Sequence, residues 1–257
     1  MCELFGVCSK EGMTLNEYLN IFYGRSDKHP HGWGLACLHG NEAMIKKEPI
    51  QASKSAYLQE VLAQPIVEEN AFAHIRYATI GNIDYRNCHP FSLVDKNGRR
   101  WTLIHNGTIF DYSPLEKYVQ LQSGETDSER ILLYLIEEIN GREAELGRPF
   151  QEEERFRFLD AIISDMAAGN KLNLLLYDGE IMYVHTNYQN SLHYLEEEGV
   201  IIFSTAPLDE KHWQPVCFTT LLAYQNGALK YQGTNHGNEY IEKEENIKFL
   251  YQIFADL

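Results

Sequence analysis

FRFLDAIISDMAAGNKLNLLLYDGEIMYV, residues 156–184, changes its period halfway along. In the first part Phe156, Leu159, Ile162, Ile163 and Met166 recur at the three- and four-residue spacing of one helix face. Gly169-Asn170 ends that pattern. From Leu172 the chain reads as strands, with Asp178-Gly179 as the hairpin turn between two apolar runs and Asn226-Gly227 as a second such turn further on. Upstream, Thr126 and Glu129 form a capping box, after which Ile131, Leu132, Leu135, Ile136 and Ile139 continue a helical face to Gly141. A helical block therefore precedes a run of hairpins.

The N-terminal part repeats the strand signal. Cys2 to Cys8 reads as a short strand, and Thr14 with Glu17 as a capping box opening a helix through Leu15, Leu19 and Phe22 that Gly24 closes. Gly32 to Leu38 and Ala43 to Lys47 predict a hairpin around His39-Gly40-Asn41, and Ser53 to Gln64 a short helix. Ala71 to Thr79 and Trp101 to Ile104 read as strands that end in polar turns, and Glu239 to Phe254 as a terminal amphipathic helix. Strands joined by hairpins on both sides of a helical block indicate an α+β domain built on antiparallel sheets. With no linker or internal repeat, one domain over residues 2–257 is expected.

Composition narrows the partners. Of 257 residues 44% are hydrophobic and 23% charged, the balance of a folded globular chain. Thirty-seven acids against 22 bases give a formal net charge of -15, which repels a phosphate backbone, and the basic pairs Lys46-Lys47 and Arg99-Arg100 are too small to compensate. No nucleic-acid partner is expected. No run approaches the roughly 20 apolar residues of a membrane span, and Glu3 stands where a secretory signal carries basic residues. Five irregularly spaced cysteines, Cys2, Cys8, Cys37, Cys88 and Cys217, suit a reducing compartment, so the cytoplasm is expected. His29 and His31 flank a proline, and no metal motif accompanies them, so neither a metal nor a cofactor is expected.

Four segments carry chemistry when taken together. Removal of Met1 would leave Cys2 with a thiol and a free α-amine on one residue, titrating near roughly 8.5 and roughly 8 when unperturbed, so the nucleophile would bring its own base. Taken alone, Cys2 is equally a small apolar residue of an edge strand. Arg76, within His74-Ile75-Arg76-Tyr77-Ala78-Thr79, offers a planar fork that suits a carboxylate or a structural ion pair. His105-Asn106-Gly107-Thr108 at a strand end offers an amide and a backbone N–H of the oxyanion-hole kind, or a plain Asn-Gly turn. Asp127, in Thr126-Asp127-Ser128-Glu129, is either a first-turn acid favoured by the helix dipole or the holder of an ammonium.

In this order and at these spacings, the four segments resemble the class II glutamine amidotransferases. Gly32-Trp33-Gly34 and His89-Pro90-Phe91 are similar to the stand-alone members of the bacterial YafJ type. The resemblance runs from Cys2 to about Pro207. It implies an αββα fold, two antiparallel sheets face to face between helical layers. It further implies Cys2 as nucleophile, Asn106 and Gly107 as oxyanion hole, Arg76 with Thr79 beside it on the substrate α-carboxylate, and Asp127 on the α-ammonium. Two positions depart from the pattern of the synthase-linked members, Ile80 where a histidine commonly stands and Ser26 after Arg25 where a glycine is usual.

The expected reaction is hydrolysis of the glutamine side-chain amide, or of a related γ-glutamyl amide, through a Cys2 thioester. An amidase of the same N-terminal-nucleophile kind acting on another acyl group is an alternative, but it would need neither Arg76 nor Asp127. A non-catalytic binding or regulatory module of the same fold would have no use for the complete set. About 50 residues follow Pro207, too few for a typical synthase domain. Water, a small molecule or the active site of a partner protein is therefore the candidate acceptor, and the terminal helix either packs on its own domain or docks a synthase partner or a second copy in a homodimer.

Overall fold

The computed structural model describes residues 2–246 and 248. In chain order its elements are β1 (Glu3–Thr14), α1 (Asn16–Gly24), β2 (Trp33–His39), β3 (Glu42–Glu48), α2 (Ala56–Leu62), β4 (Val67–Ile75), β5 (Phe91–Val94), β6 (Arg100–Thr108), α3 (Asp127–Leu146) and α4 (Glu152–Met166). The remaining strands are β7 (Lys171–Tyr177), β8 (Met182–His185), β9 (His193–Glu197), β10 (Val200–Ser204), β11 (Gln214–Pro215), β12 (Leu222–Gln225) and β13 (Ala228–Gln232).

They form a seven-stranded sheet of order β11-β9-β10-β1-β4-β2-β3 and a six-stranded sheet of order β13-β12-β8-β7-β6-β5. Every paired neighbour is antiparallel. Strand alternation sorts the side chains into three cores. Phe5, Val7, Ala73 and Ile75 face outward with Leu19, Phe22 and Leu58 of α1 and α2. Leu103, Leu172, Leu174 and Leu176 face outward with Ile131, Leu135, Leu159 and Ile163 of α3 and α4. Between the sheets lie Leu4, Cys8, Phe72, Ile104, Leu175 and Val184. This is the αββα sandwich expected from the family resemblance. No helix among the described residues is long and apolar enough to cross a membrane.

Hairpin chemistry is as the sequence indicates. Asn226 and Gly227 both take positive φ, 52° and 75°, the conformation a two-residue turn between twisted strands needs. Helix ends differ. Thr14 lies in β1, and α1 starts after Leu15 with no side-chain cap, because Asn16 instead ties Leu62 and Gln64 carbonyls and the Ile66 N–H. Thr126 does cap α3 through the Glu129 N–H at 3.2 Å, but the Glu129 carboxylate takes the N–H groups of Ser123 and Gly124 rather than returning to Thr126. Gly141 does not stop α3, which runs to the left-handed Gly147. At the C-terminal end, residues 239–243 are not helical while 244–246 and 248 are; the rest of the expected terminal helix lies outside the described residues.

Candidate active site

Cys2 sits immediately before β1, and register determines what surrounds it. Leu4 pairs with His74 and Glu3 with Ile75 of β4, so the chain leaving β4 passes directly beside Cys2. The sulfur lies 3.4 Å from both the nitrogen and the carbonyl oxygen of Tyr77, accepting from one and able to donate to the other. Burial pushes the Cys2 thiol up, with the Tyr77 hydrogen bond and the Arg76 charge opposing.

Arg76 was expected inside a strand, yet β4 ends at Ile75. Arg76 pairs its own backbone N–H with Gly32 O at 2.8 Å, and its side chain turns onto the following loop. There Nη1 donates to Asn82 O, and Nη2 to Ile80 O and Gly81 O, all at 2.8–2.9 Å. Arg76 is 2% exposed. Its guanidinium thus shapes the 80–82 loop while two of its five N–H groups stay uncommitted to these carbonyls. Thr79 lies half-buried at the start of that loop. Beside it, the Ala78 N–H donates to Nδ1 of His31 at 2.9 Å, and burial with the Arg76 charge pushes His31 down.

Asn106 and Gly107 were expected in a tight turn. The structure corrects this: both lie inside β6, paired with Asn173 and Leu172 of β7. The ladder between β6 and β7 runs from Thr102 to Thr108 without a break, and its hydrogen bonds override the turn preference of Asn-Gly. Because side chains alternate, Asn106 shares the interlayer face of Ile104, which packs in one core with Leu4 of β1. Asn106 is 3% exposed, and its side chain makes no hydrogen bond among the described residues. Gly107 has no room for a side chain, since a Cβ there would run into the Lys171 carbonyl.

Asp127 opens α3. Its Oδ2 accepts from the Ile109 N–H and its Oδ1 from the Ser128 N–H, both at 2.9 Å, and it is 5% exposed. The carboxylate thereby ties the helix start to the end of β6, within electrostatic reach of Cys2. His105 reinforces the joint. Its Nε2 faces Lys171 O at 3.4 Å; a carbonyl only accepts, so that nitrogen carries the proton and Nδ1 takes the Ser128 hydroxyl at 2.9 Å.

Sequence reasoning missed four of the residues gathered here. His31 packs on Tyr77, whose backbone meets the Cys2 sulfur, and Lys171, within electrostatic reach of Cys2, lies by the Tyr240 ring. Lys171 carried a signal, a lone charge at the head of the apolar run 172–177. The ammonium lies 3.6 Å from the centroid of the Tyr188 ring and 5.9 Å from that of Tyr240. Tyr240 in turn stacks on Phe110, 5.8 Å between centroids and 4° between planes. Tyr240 is 5% exposed and donates its N–H to Asn187 O at 2.7 Å.

Comparison with known proteins adds independent findings. The family model described as glutamine amidotransferases class-II matches residues 1–199. An uncharacterized protein of Methanocaldococcus jannaschii is 32% identical over 262 residues, covering 90% of this chain and 71% of its own. Escherichia coli YafJ, which bears the name of a glutamine amidotransferase, is 29% identical over 204 residues, 76% of each chain. Among solved structures, a protein from Pseudomonas aeruginosa described as a predicted glutamine amidotransferase superposes with a TM-score of 0.65 at 22% identity, over 89% of this chain and 99% of its own, a likeness of fold.

Proposed function

Starting from the fact that this chain belongs to the class II glutamine amidotransferases, we propose that it hydrolyses the side-chain amide of glutamine, or of a related γ-glutamyl amide, at Cys2. The single observation that supports this reading is that the Cys2 sulfur meets the Tyr77 N–H with Arg76 and Asp127, one charge of each sign, both in electrostatic reach of it. In the proposed sequence Met1 is first removed. The freed α-amine takes the thiol proton, and the thiolate attacks the amide carbon. Negative charge on the carbonyl oxygen is met by Asn106 Nδ2 and the Gly107 N–H.

Collapse of that adduct breaks the carbon–nitrogen bond, and the α-ammonium returns its proton to the departing ammonia or amine. Water then cleaves the thioester, releasing the acid and restoring the thiol. Arg76, through its uncommitted N–H groups, and Thr79 hold the α-carboxylate, and Asp127 the α-ammonium, so both ends of a dipolar substrate are fixed away from the reacting amide. A plain acyl amide would leave both charges unanswered.

The chain works as one domain in the cytoplasm, and ammonia passes to water, to a small molecule or to a synthase partner. The decisive experiment measures ammonia from glutamine and amine from γ-glutamyl compounds side by side, with wild type and Cys2→Ala. Release from either substrate class that Cys2→Ala abolishes supports the reading. Release that survives in Cys2→Ala, or no release from any γ-glutamyl amide, overturns it.

A further inference from the structure

The ladder between β2 and β4 continues past the ends of both strands. Trp33 pairs with Ile75. Beyond that pair the Arg76 N–H donates to Gly32 O at 2.8 Å, and Arg76 O accepts from the His31 N–H at 3.1 Å. Gly32 permits this continuation, since its φ of 148° would strain a side chain and a Cβ there would approach Cys88 Sγ to 2.7 Å. Residues 31 and 32 thus hold the chain that leaves β4.

Along an extended chain the backbone groups of successive residues point to opposite neighbours. Arg76 directs its pair to residues 31 and 32, so those of Tyr77 turn toward β1, where the Cys2 sulfur lies 3.4 Å from each. Ala78 turns back again, and its N–H donates to Nδ1 of His31 at 2.9 Å. His31 therefore grips the segment on either side of Tyr77, by its main chain at Arg76 and by its ring at Ala78. The ring also packs on that of Tyr77, 5.2 Å between centroids.

From this grip we infer that His31 is a positioning residue, which keeps the Tyr77 N–H on the Cys2 sulfur and so sets the reactivity of the thiol. The inference rests on the proposed role of Cys2 as nucleophile. Burial raises that thiol, and the Tyr77 hydrogen bond opposes it together with the charges of the amino terminus and Arg76. An N–H can donate to Nδ1 only while a lone pair is there, so the grip requires a neutral imidazole with its proton on Nε2. Burial, then the Arg76 charge and the amino-terminal charge, push His31 down, which keeps the ring in that form at neutral pH. As pH falls through the lowered value, a proton occupies Nδ1 and the Ala78 bond is lost. The groups acting on the ring are thus Arg76, Tyr77 and the amino terminus, while His29 turns to Glu3 at 3.8 Å.

The test follows the rate of Cys2 alkylation by iodoacetamide against pH in the full-length protein, with the labelled Cys2 peptide quantified by mass spectrometry. It needs no substrate, so it separates a failure of this inference from a failure of the glutaminase reading. In His31→Leu, which cannot accept the Ala78 N–H, alkylation at pH 7 should fall about tenfold as the thiol midpoint rises by about one pH unit. Asparagine offers an amide oxygen near the place of Nδ1 and does not titrate, so His31→Asn should stay within about twofold of wild type at that pH. Below the ordinary histidine value of roughly 6.5, the wild-type rate should fall more steeply than the about tenfold per pH unit of the thiolate fraction alone, whereas His31→Asn should follow that slope. A wild-type rate in His31→Leu would overturn the inference, as would an equal loss in both variants. If His31→Leu fails to fold, the acid slopes decide, and coincident slopes for wild type and His31→Asn would overturn it.

Discussion

The sulfur of Cys2 and the backbone nitrogen of Tyr77 lie 3.4 Å apart although 75 residues separate them in sequence. The N–H of Tyr77 points at the sulfur, a partner that favours a thiolate over a thiol. The contact exists because β4 ends one residue before Arg76 and releases Tyr77 beside the residue that precedes β1.

Cys2 should be the only cysteine required. Burial pushes Cys8 and Cys88 up to about 11 and Cys37 up to about 12, so these thiols stay protonated at neutral pH. Alkylation at pH 7.5 should label Cys2 and the exposed Cys217 before the other three. Loss of amide hydrolysis should track Cys2 alone, and a Cys217→Ser protein that is inactivated at the wild-type rate would verify it.

Asn106→Ala should separate catalysis from stability. Its side chain makes no hydrogen bond among the described residues, so thermal unfolding should move little. Removal of one oxyanion donor typically lowers kcat by about 10² or more, with KM nearly unchanged. Steady-state kinetics beside a melting curve check both halves. A large fall in melting temperature would make Asn106 a structural residue instead.

Arg76 is expected to affect both properties at once. Three of its hydrogen bonds hold the carbonyls of residues 80–82, and lysine cannot reproduce that fork. Each charged hydrogen bond is worth about 1.5–3 kcal/mol, so Arg76→Lys should raise KM by about tenfold or more and weaken inhibition by glutamate in parallel. It should also speed proteolytic nicking at 80–84. Unchanged KM would remove Arg76 from the substrate.

Acid should weaken the fold through buried histidines. His185 is pushed down to about 3 by burial and by His236, while in the unfolded chain it titrates near roughly 6.5. The unfolded state therefore binds the extra proton, so stability falls as pH drops from about 6.5 toward about 3. Burial pushes His74 and His89 the same way. Melting temperatures between pH 4 and 8 should show this slope, and His185→Gln should flatten it.

Truncation after Asn238 should lower stability and activity together. It removes Tyr240, whose ring stacks on Phe110 beside the β6 end, and Glu242, which acts on Lys171. Tyr240→Ala alone should cost about 3 kcal/mol by loss of a buried ring. A truncated protein with wild-type melting and turnover would return this segment to the role of a detachable docking helix.

What the sequence determined by itself is what neighbouring residues encode. The shift from helical to strand period near Gly169, the positive-φ turns at Gly40 and Asn226-Gly227, and the apolar faces of α3 and α4 all arise within a few residues, where side-chain spacing and turn sterics decide. The four ordered motifs likewise mark the family. Tertiary structure alone decided the rest. Asn106-Gly107 reads locally as a turn, and only pairing with β7, some 66 residues away, extends β6 through it. Arg76 looks free along the chain until the 80–82 loop folds back on it. β7 gains its place opposite β1 from the face-to-face packing of two sheets, marked by contacts such as Gly6 on Leu175. Such contacts depend on alignment across more than 160 residues of chain, which leaves no periodic mark in the sequence.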